Sequence, residues 1–121
     1  VTFGKPIASR ESVRAYLAEM AMEIYAMRSM LSDVVARLDA GQRVPAEAAM
    51  CKAACAEAVC RVTDRALLVH GGVGYTTEFE IERHYRDARI NMIEEGTPSI
   101  QRMVIARTFL DGYRFGDLLG N

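Results

Sequence analysis

The chain has 121 residues, of which 50% are hydrophobic and 26% charged, a composition that suits one domain with a buried core and excludes a disordered chain. Its 15 basic and 16 acidic residues give a formal net charge of −1, which argues against a nucleic-acid-binding protein, because such proteins usually carry a basic excess. No apolar run approaches the roughly 20 residues that a membrane-spanning helix needs.

The first predicted element is a helix from about residue 9 to residue 40, where hydrophobic residues recur every three or four positions and therefore share one face. The members of that predicted buried face are Val13, Leu17, Met20, Ile24, Met27, Leu31, Val34 and Leu38. Gly41 follows the last turn, at a position where glycine adopts the left-handed conformation at the lowest cost.

A second helix is predicted from Pro45 to about Val69. Proline suits the first turn because its missing N–H would be unpaired there in any case. The segment contains eight alanines, and such small side chains let neighbouring helices approach closely. The glycines at positions 71 and 72 end this helix.

A third helix is predicted over residues 78–93, and a fourth begins beyond Gly96, with Thr97 as its N-cap and Pro98 in its first turn. The predicted buried stripe of the fourth helix is Ile100, Met103, Val104, Phe109 and Leu110. No segment alternates with a period of two for long enough to form a strand. The predicted fold class is therefore all-α, an antiparallel four-helix-bundle-like domain with two long helices.

Cysteines and histidines are the candidate metal ligands. Cys51 and Cys55 share a helix face, but Cys60 lies about half a turn away from Cys51, and no second pair or supporting histidine completes a zinc site. Neither His70 nor His84 has a glutamate three residues before it, as a di-iron bundle requires. We interpret the cysteines as small buried hydrophobes without disulfides, and both histidines as structural or surface residues.

Two loops carry the remaining chemistry. Residues 70–75 (HGGVGY) are interpreted from the residues alone either as a helix cap with a tight turn, the simpler hypothesis, or as backbone that another molecule approaches closely. The strand and the Lys-Ser/Thr pair of a phosphate-binding loop are missing. Residues 94–97 (EEGT) are either a solvated turn, again the simpler hypothesis, or a place where a carboxylate projects into a cleft as a base.

Taken together, these segments resemble the C-terminal helical domain of the acyl-CoA dehydrogenases. The matching segments, in order, are residues 3–7 (FGKPI), 70–75 (HGGVGY), 82–90 (ERHYRDARI), 95–102 (EGTPSIQR) and 104–107 (VIAR). The resemblance covers the whole chain. It implies a protein of three domains, with one helical domain on each side of a β-domain. We expect residues 1–121 to be the C-terminal domain without its first helix, excised from the N-terminal and middle domains.

The resemblance also implies a chemistry. Members of the family are FAD-dependent enzymes that desaturate acyl-CoA thioesters between Cα and Cβ. Glu95 would remove the α-proton while hydride passes from Cβ to N5 of the flavin, and Gly96 would contact the substrate beside its thioester. The residues implied in FAD binding are Thr2, Phe3, Leu68, Val69, His70, Gly71 and Gly72, against FAD held mainly by a neighbouring subunit, together with Thr97, Pro98 and Ser99.

Three residues depart from the family pattern. Leu68 stands where glutamine is common and cannot hydrogen-bond to the nucleotide. Glu11 also takes the place of a common glutamine and brings a negative charge towards FAD. Glu94 occupies a position where tyrosine or another bulky residue is frequent, which places a second carboxylate beside the expected base.

The resemblance further implies a homo-oligomer that uses an electron-transfer acceptor, in a bacterial cytoplasm or a mitochondrial matrix. The isolated chain is expected to be inactive and to self-associate. Two alternatives stay open: a non-catalytic helical module for oligomerisation, and an acyl-CoA oxidase or flavin monooxygenase relative of the same fold.

Overall fold

Four α-helices make up most of residues 1–112. The computed structural model describes residues 1–112, and its helices are α1 (Glu11–Asp39), α2 (Pro45–His70), α3 (Ile81–Ile90) and α4 (Pro98–Leu110). Short 3-10 turns precede α1 and follow α2, at Ile7–Ser9 and Gly71–Tyr75. Residues 1–112 contain no β-strand, only an isolated bridge between Thr2 and Lys5. The all-α prediction with two long helices is confirmed.

Helices α1 and α2 form an antiparallel hairpin. Gly41 has a φ of +75°, and the amide of Gln42 donates to the carbonyl of Arg37 at 3.0 Å, which closes α1 with a Schellman motif. Pro45 occupies the first turn of α2, as the sequence predicts. Val34 and Val44 pack with Cys51 in a small core where the hairpin closes.

Helix α2 is the centre of the fold, since α1, α3 and α4 all pack against it. Small side chains on several of its sides allow this close approach. The buried alanines of α2 are Ala46, Ala49, Ala53, Ala56 and Ala58. Helix α3 runs antiparallel to it: Lys52 Nζ donates to the carbonyl of Asn91 at 3.0 Å, and Cys60 Sγ donates to that of Ala88 at 3.4 Å.

The third helix is shorter than the sequence predicts. It begins at Ile81 rather than at residue 78, because the Thr76 hydroxyl donates to the Val73 carbonyl at 2.7 Å and accepts from the Glu78 amide at 3.4 Å, which holds this segment as a turn. It ends at Ile90 rather than at residue 93, since the Ile93 amide donates back only three residues, to Ile90, at 2.8 Å.

The predicted buried stripe of the fourth helix is wrong for most of its members. Ile100, Met103 and Leu110 are 50%, 68% and 87% exposed, and Val104 is exposed as well. The opposite side of α4, which includes buried Pro98 and half-buried Phe109, faces α2. Because α4 carries apolar residues on both sides, the sequence pattern could not decide which side packs inward.

The predicted face of α1 is only partly buried. Met20, Met27 and Val34 are covered or half-covered by α2, whereas its outer edge is exposed. That outer edge consists of Leu17, Ile24, Leu31 and Leu38. An apolar groove of about 360 Å³ lies between α1, α2 and the end of α3, with Leu31, Cys55 and Val59 in its walls.

Candidate functional site

The turn between α3 and α4 carries the expected base on a left-handed backbone. Glu95 has a φ of +52° and Gly96 a φ of +85°. A non-glycine residue rarely adopts a positive φ, and such conformations concentrate at functional sites. The turn then enters α4 through Thr97, whose Oγ1 accepts from the Ile100 amide at 3.4 Å, so the predicted N-cap is confirmed.

The side chain of Gln101 holds this turn from the first turns of α4. Its Nε2 donates to the Glu95 carbonyl at 2.9 Å and lies 3.4 Å from the Gly96 carbonyl. A Cβ added to Gly96 would lie 2.8 Å from the same nitrogen. Gln101 was not singled out from the sequence; the available signal is a half-buried amide side chain six residues after the expected base, within the matching segment 95–102.

Two contacts between residues far apart in the sequence anchor the turn to α2. Arg102, directly after Gln101, forms an ion pair with Glu57. At the other end, Lys52 Nζ donates to the Asn91 carbonyl at 3.0 Å. The Glu95 turn is therefore tied to the middle of α2 on both sides.

Both carboxylates of the turn are exposed in this chain. Glu94 and Glu95 are exposed residues, whereas Gly96 and Thr97 are half-buried. Within residues 1–112 the Glu95 carboxylate makes no ion pair. The expected base thus projects from the surface, and its position depends on the backbone that carries it.

The glycines after α2 have two different roles. Gly71 has a φ of +69°, and a Cβ on Gly71 or Gly72 would meet no atom within 4 Å. Their backbone is therefore open to another molecule. A Cβ on Gly74 would instead lie 2.5 Å from His70 Cβ, so Gly74 serves the packing of the 3-10 turn.

The side chains before these glycines line the same end of α2. Leu68 is 55% exposed and Val69 is half-buried. His70 Nδ1 lies 2.8 Å from the Ala66 carbonyl, and its ring meets Phe79 edge-on at 5.6 Å between centroids. Because a carbonyl only accepts, Nδ1 is the donor in this contact.

Thr2 and Phe3 lie on a tight turn before α1. Phe3 and Gly4 have φ values of +52° and +73°, as in a type I′ turn. The Thr2 amide donates to the Lys5 carbonyl at 3.0 Å, and Arg10 Nη2 donates to Thr2 Oγ1 at 2.7 Å. Phe3 is 96% exposed, with the Arg10 guanidinium 5.6 Å from its ring centroid.

The predicted site residues form two groups. The antiparallel hairpin brings the start of α1, with Thr2, Phe3 and exposed Glu11, to the same end as residues 68–72. Residues 95–99 come just before Arg102, which pairs with Glu57, and Glu57 is about 20 Å from His70 along α2, at 1.5 Å per residue. Within one chain the structure therefore brings the first group together and keeps the second apart from it.

The cysteines are free and lie in two places. Cys51 and Cys55 lie 3.8 Å apart between their sulfurs, while Cys60 faces α3. Burial, together with the hydrogen bond and the charge of Cys51, raises the pKa of Cys55 to about 11. The described part of the chain holds no cluster of three or more His, Cys, Asp or Glu residues suited to a metal ion.

No helix between residues 1 and 112 is both long and apolar enough to cross a membrane.

Comparisons with known proteins identify the family. The family described as "Acyl-CoA dehydrogenase, C-terminal domain" matches residues 1–110. The chain is 43% identical over 107 residues to acryloyl-CoA reductase (NADH) of Anaerotignum propionicum, which covers 88% of this chain and 27% of the relative. The chain therefore belongs to the acyl-CoA dehydrogenase family, and the resemblance is confirmed.

Solved structures share the fold. Butyryl-CoA dehydrogenase from Megasphaera elsdenii superposes with a TM-score of 0.88 at 36% identity, over 91% of this chain and 29% of that one. The FAD complex of PigA gives a TM-score of 0.84 at 29% identity, over 90% of this chain and 28% of that one. The chain thus spans somewhat more than a quarter of the proteins that it matches.

Proposed function

We propose that this chain acts as the C-terminal helical domain of an FAD-dependent enzyme that desaturates acyl-CoA thioesters between Cα and Cβ, with Glu95 as the base. The observation that carries the proposal is the left-handed turn at Glu95 and Gly96, clamped by Gln101. This turn presents an exposed carboxylate that no described ion pair neutralises. A carboxylate is suited to accept a proton from an acidified carbon next to a thioester.

The residues around Glu95 define what the chain contributes. Glu95 receives the α-proton, and the backbone of Gly96 contacts the substrate beside its thioester, since Gln101 fills the place that a side chain on Gly96 would take. When bound, FAD supplies the acceptor for the hydride that leaves Cβ. Thr97, Pro98 and Ser99 form the start of α4, where backbone N–H groups without a helical partner favour negatively charged or hydrogen-bond-accepting ligands; Pro98 itself has no N–H, and the Ile100 amide donates to Thr97.

Several features of this chain fit FAD at the other end of α2. The backbone of Gly71 and Gly72 is open to close approach. Thr2 Oγ1 accepts from Arg10, so its own hydroxyl proton stays available for donation to a ligand. Leu68 is exposed but lacks a polar group, and we expect it to offer only apolar contact where a glutamine would donate.

The separation of the two groups supports a homo-oligomer. The two groups lie about 20 Å apart along α2, one beside the middle of that helix and the other at its C-terminal end. In a homo-oligomer one copy would supply residues 95–99 to a given FAD, and its neighbour would supply residues 68–72 with Thr2 and Phe3. The rest of the enzyme, and an electron-transfer acceptor, complete the expected assembly.

A second candidate runs the same reaction in reverse. The 43% identity to a protein named acryloyl-CoA reductase (NADH) favours it. Glu95 in its protonated form would then donate the proton to Cα. By microscopic reversibility the same residue serves either direction, so the direction depends on the redox partner rather than on this chain.

The test uses the complete enzyme that carries this chain, purified with its flavin, and a panel of acyl-CoAs. We expect absorbance of oxidised FAD that an acyl-CoA bleaches, and loss of bleaching with FAD retained in Glu95→Gln. Glu94→Gln is the matched control and should still bleach. A colourless enzyme, or bleaching that survives Glu95→Gln, would contradict the proposal and favour the non-catalytic helical module or another base. The isolated 121-residue chain is expected to show no bleaching.

A further inference from the structure

We infer that Gln101 is the positioning residue for Glu95: its side-chain amide holds the backbone conformation from which the carboxylate projects. The inference rests on the proposed role of Glu95 as the base. It adds a residue that does not touch the reacting atoms but determines where the reacting carboxylate lies.

The side-chain amide of Gln101 lies within reach of two backbone carbonyls of the turn. Gln101 Nε2 has two hydrogens, and the carbonyls of Glu95 and Gly96 lie 2.9 Å and 3.4 Å from it. These carbonyls belong to the two consecutive residues with positive φ. A left-handed L-residue costs roughly 1–2 kcal/mol, so this conformation persists only where its surroundings stabilise it.

Gln101 is itself attached to a rigid element. Its backbone amide donates to the Thr97 carbonyl at 3.0 Å, inside the first capped turn of α4. The next residue, Arg102, pairs with Glu57 on the central helix. The amide therefore transmits the position of α4 and α2 to the turn that carries Glu95.

Because Glu95 is exposed, these hydrogen bonds from Gln101 (the Gln101 clamp) determine where its carboxylate lies. No described ion pair fixes the Glu95 carboxylate, so its location follows from the direction of the Cα–Cβ bond. That bond changes direction when φ passes from the left-handed to the right-handed region. Loss of the clamp should then misplace the carboxylate without removing it, and a misplacement of about 1 Å can cost on the order of 100-fold in rate.

The first measurement is the crystal structure of the complete flavoprotein and of its variants, and it does not depend on activity. The refined backbone at Glu95 gives its φ. We expect Gln101→Met, which keeps length but removes the donor, to shift Glu95 away from positive φ at every pH. Retention of positive φ in folded Gln101→Met overturns the inference.

In the variant Gln101→Glu, we expect low pH to restore the left-handed backbone at Glu95. At neutral pH its carboxylate faces two carbonyls and cannot donate, so the left-handed conformation should be lost. As the pH falls and this carboxyl is protonated, its O–H can donate to one carbonyl, and the positive φ of Glu95 should return. Gln42→Glu, in the exposed α1–α2 connection, makes the same change of charge and should leave Glu95 unaffected at both pH values. An identical pH response in Gln101→Met would overturn the inference.

The second measurement is kinetic, on the complete flavoprotein. We expect Gln101→Met to lower the rate constant of flavin reduction by about 10-fold to 100-fold, with FAD retained and acyl-CoA affinity within about twofold of wild type. An unchanged rate constant overturns the positioning role. If the wild-type enzyme is not bleached at all, the proposed function fails, whereas the φ of Glu95 in the variant structures still decides whether Gln101 sets the turn.

Discussion

Arg65 on α2 and Glu19 on α1 form an ion pair, with Nε and Oε2 at 2.6 Å, and the same guanidinium reaches Glu23 at 3.2 Å. Arg61 also pairs with Glu23, at 3.0 Å. Arg65 and Glu23 are mostly covered, with side chains 23% and 21% exposed. This network joins the two long helices at the end where the glycine-rich turn and the Thr2–Lys5 turn lie, so it supports one of the two proposed cofactor surfaces.

Arg65→Met should therefore destabilise the hairpin. Glu19 loses its partner and Glu23 keeps only Arg61, so we expect the free energy of unfolding to fall by about 1–2 kcal/mol. Urea unfolding followed by circular dichroism at 222 nm measures it. Arg83→Met, which removes an exposed pair with Glu80, is the matched control and should change nothing measurable. Equal stability of the two variants would show that the network contributes nothing.

Glu95→Gly should separate stability from function. Glycine adopts the φ of +52° found at Glu95 without the steric cost, and we expect the chain to gain about 0.5–1 kcal/mol of stability. The proposed proton abstraction would be lost in the complete enzyme. Thermal unfolding of both proteins, with acyl-CoA bleaching of the flavin, gives the two readouts.

Glu94→Gly is the control for that substitution. The Glu94 amide donates four residues back to Ile90 at 3.0 Å, as in a helical turn, where glycine is unfavourable. We expect a loss of about 0.5–1 kcal/mol with bleaching retained. If both glycine variants lose stability, the backbone at Glu95 is not strained.

The glycines of the 3-10 turn should respond oppositely to alanine. In Gly74→Ala the new Cβ meets His70 Cβ at 2.5 Å and the Leu67 carbonyl at 3.4 Å, so we expect a loss of about 1–3 kcal/mol. Gly72→Ala meets no atom within 4 Å and should gain up to about 1 kcal/mol by restricting the unfolded chain. Chemical denaturation of both variants measures this. In the complete enzyme, Gly72→Ala should nevertheless weaken FAD retention, and undiminished FAD content would exclude Gly72 from the cofactor surface.

The sequence predicted the helices better than it predicted their faces. Periodicity and end signals at Gly41, Pro45 and Thr97 located the helices between residues 1 and 112, although α3 was predicted three residues too long at each end, because these signals are local. The outward side of α4 was missed because apolar residues occur all round that helix, and only the position of α2 decides which side is covered. Gln101 was missed for a similar reason: its partners are carbonyls six and five residues away, and their direction depends on two left-handed residues that the sequence does not announce.

The Cys55 thiol should make stability depend on alkaline pH. Its folded pKa is about 11, raised from the ordinary value of 9.0. Well below pH 9 both states keep the proton and the difference has no effect. As the pH rises from there towards 11, the unfolded chain ionises first, so the free energy of unfolding should decrease.

Two variants and one reagent check this. Cys55→Ala should flatten the alkaline decrease, whereas Cys60→Ala, on the α3-facing side, should keep it. Iodoacetamide at pH 8 should modify Cys55 on the order of 100-fold more slowly in the folded chain than in urea. Rapid modification of folded Cys55 would contradict its elevated pKa.

The exposed apolar sides of α1 and α4 should make the isolated chain self-associate. Leu31 is 55% and Met103 68% exposed, each within a larger row of apolar residues, and extended patches of this kind mark surfaces that bind other protein. Sedimentation velocity and light scattering over a range of concentrations should show mass above the 13.4 kDa of one chain. Leu31→Lys and Met103→Lys should each shift the equilibrium towards monomer, while Ser32→Lys, one residue along α1 but on its polar side, should not. A chain that stays monomeric at the highest concentration would mean that these rows are tolerated in water and need no covering partner.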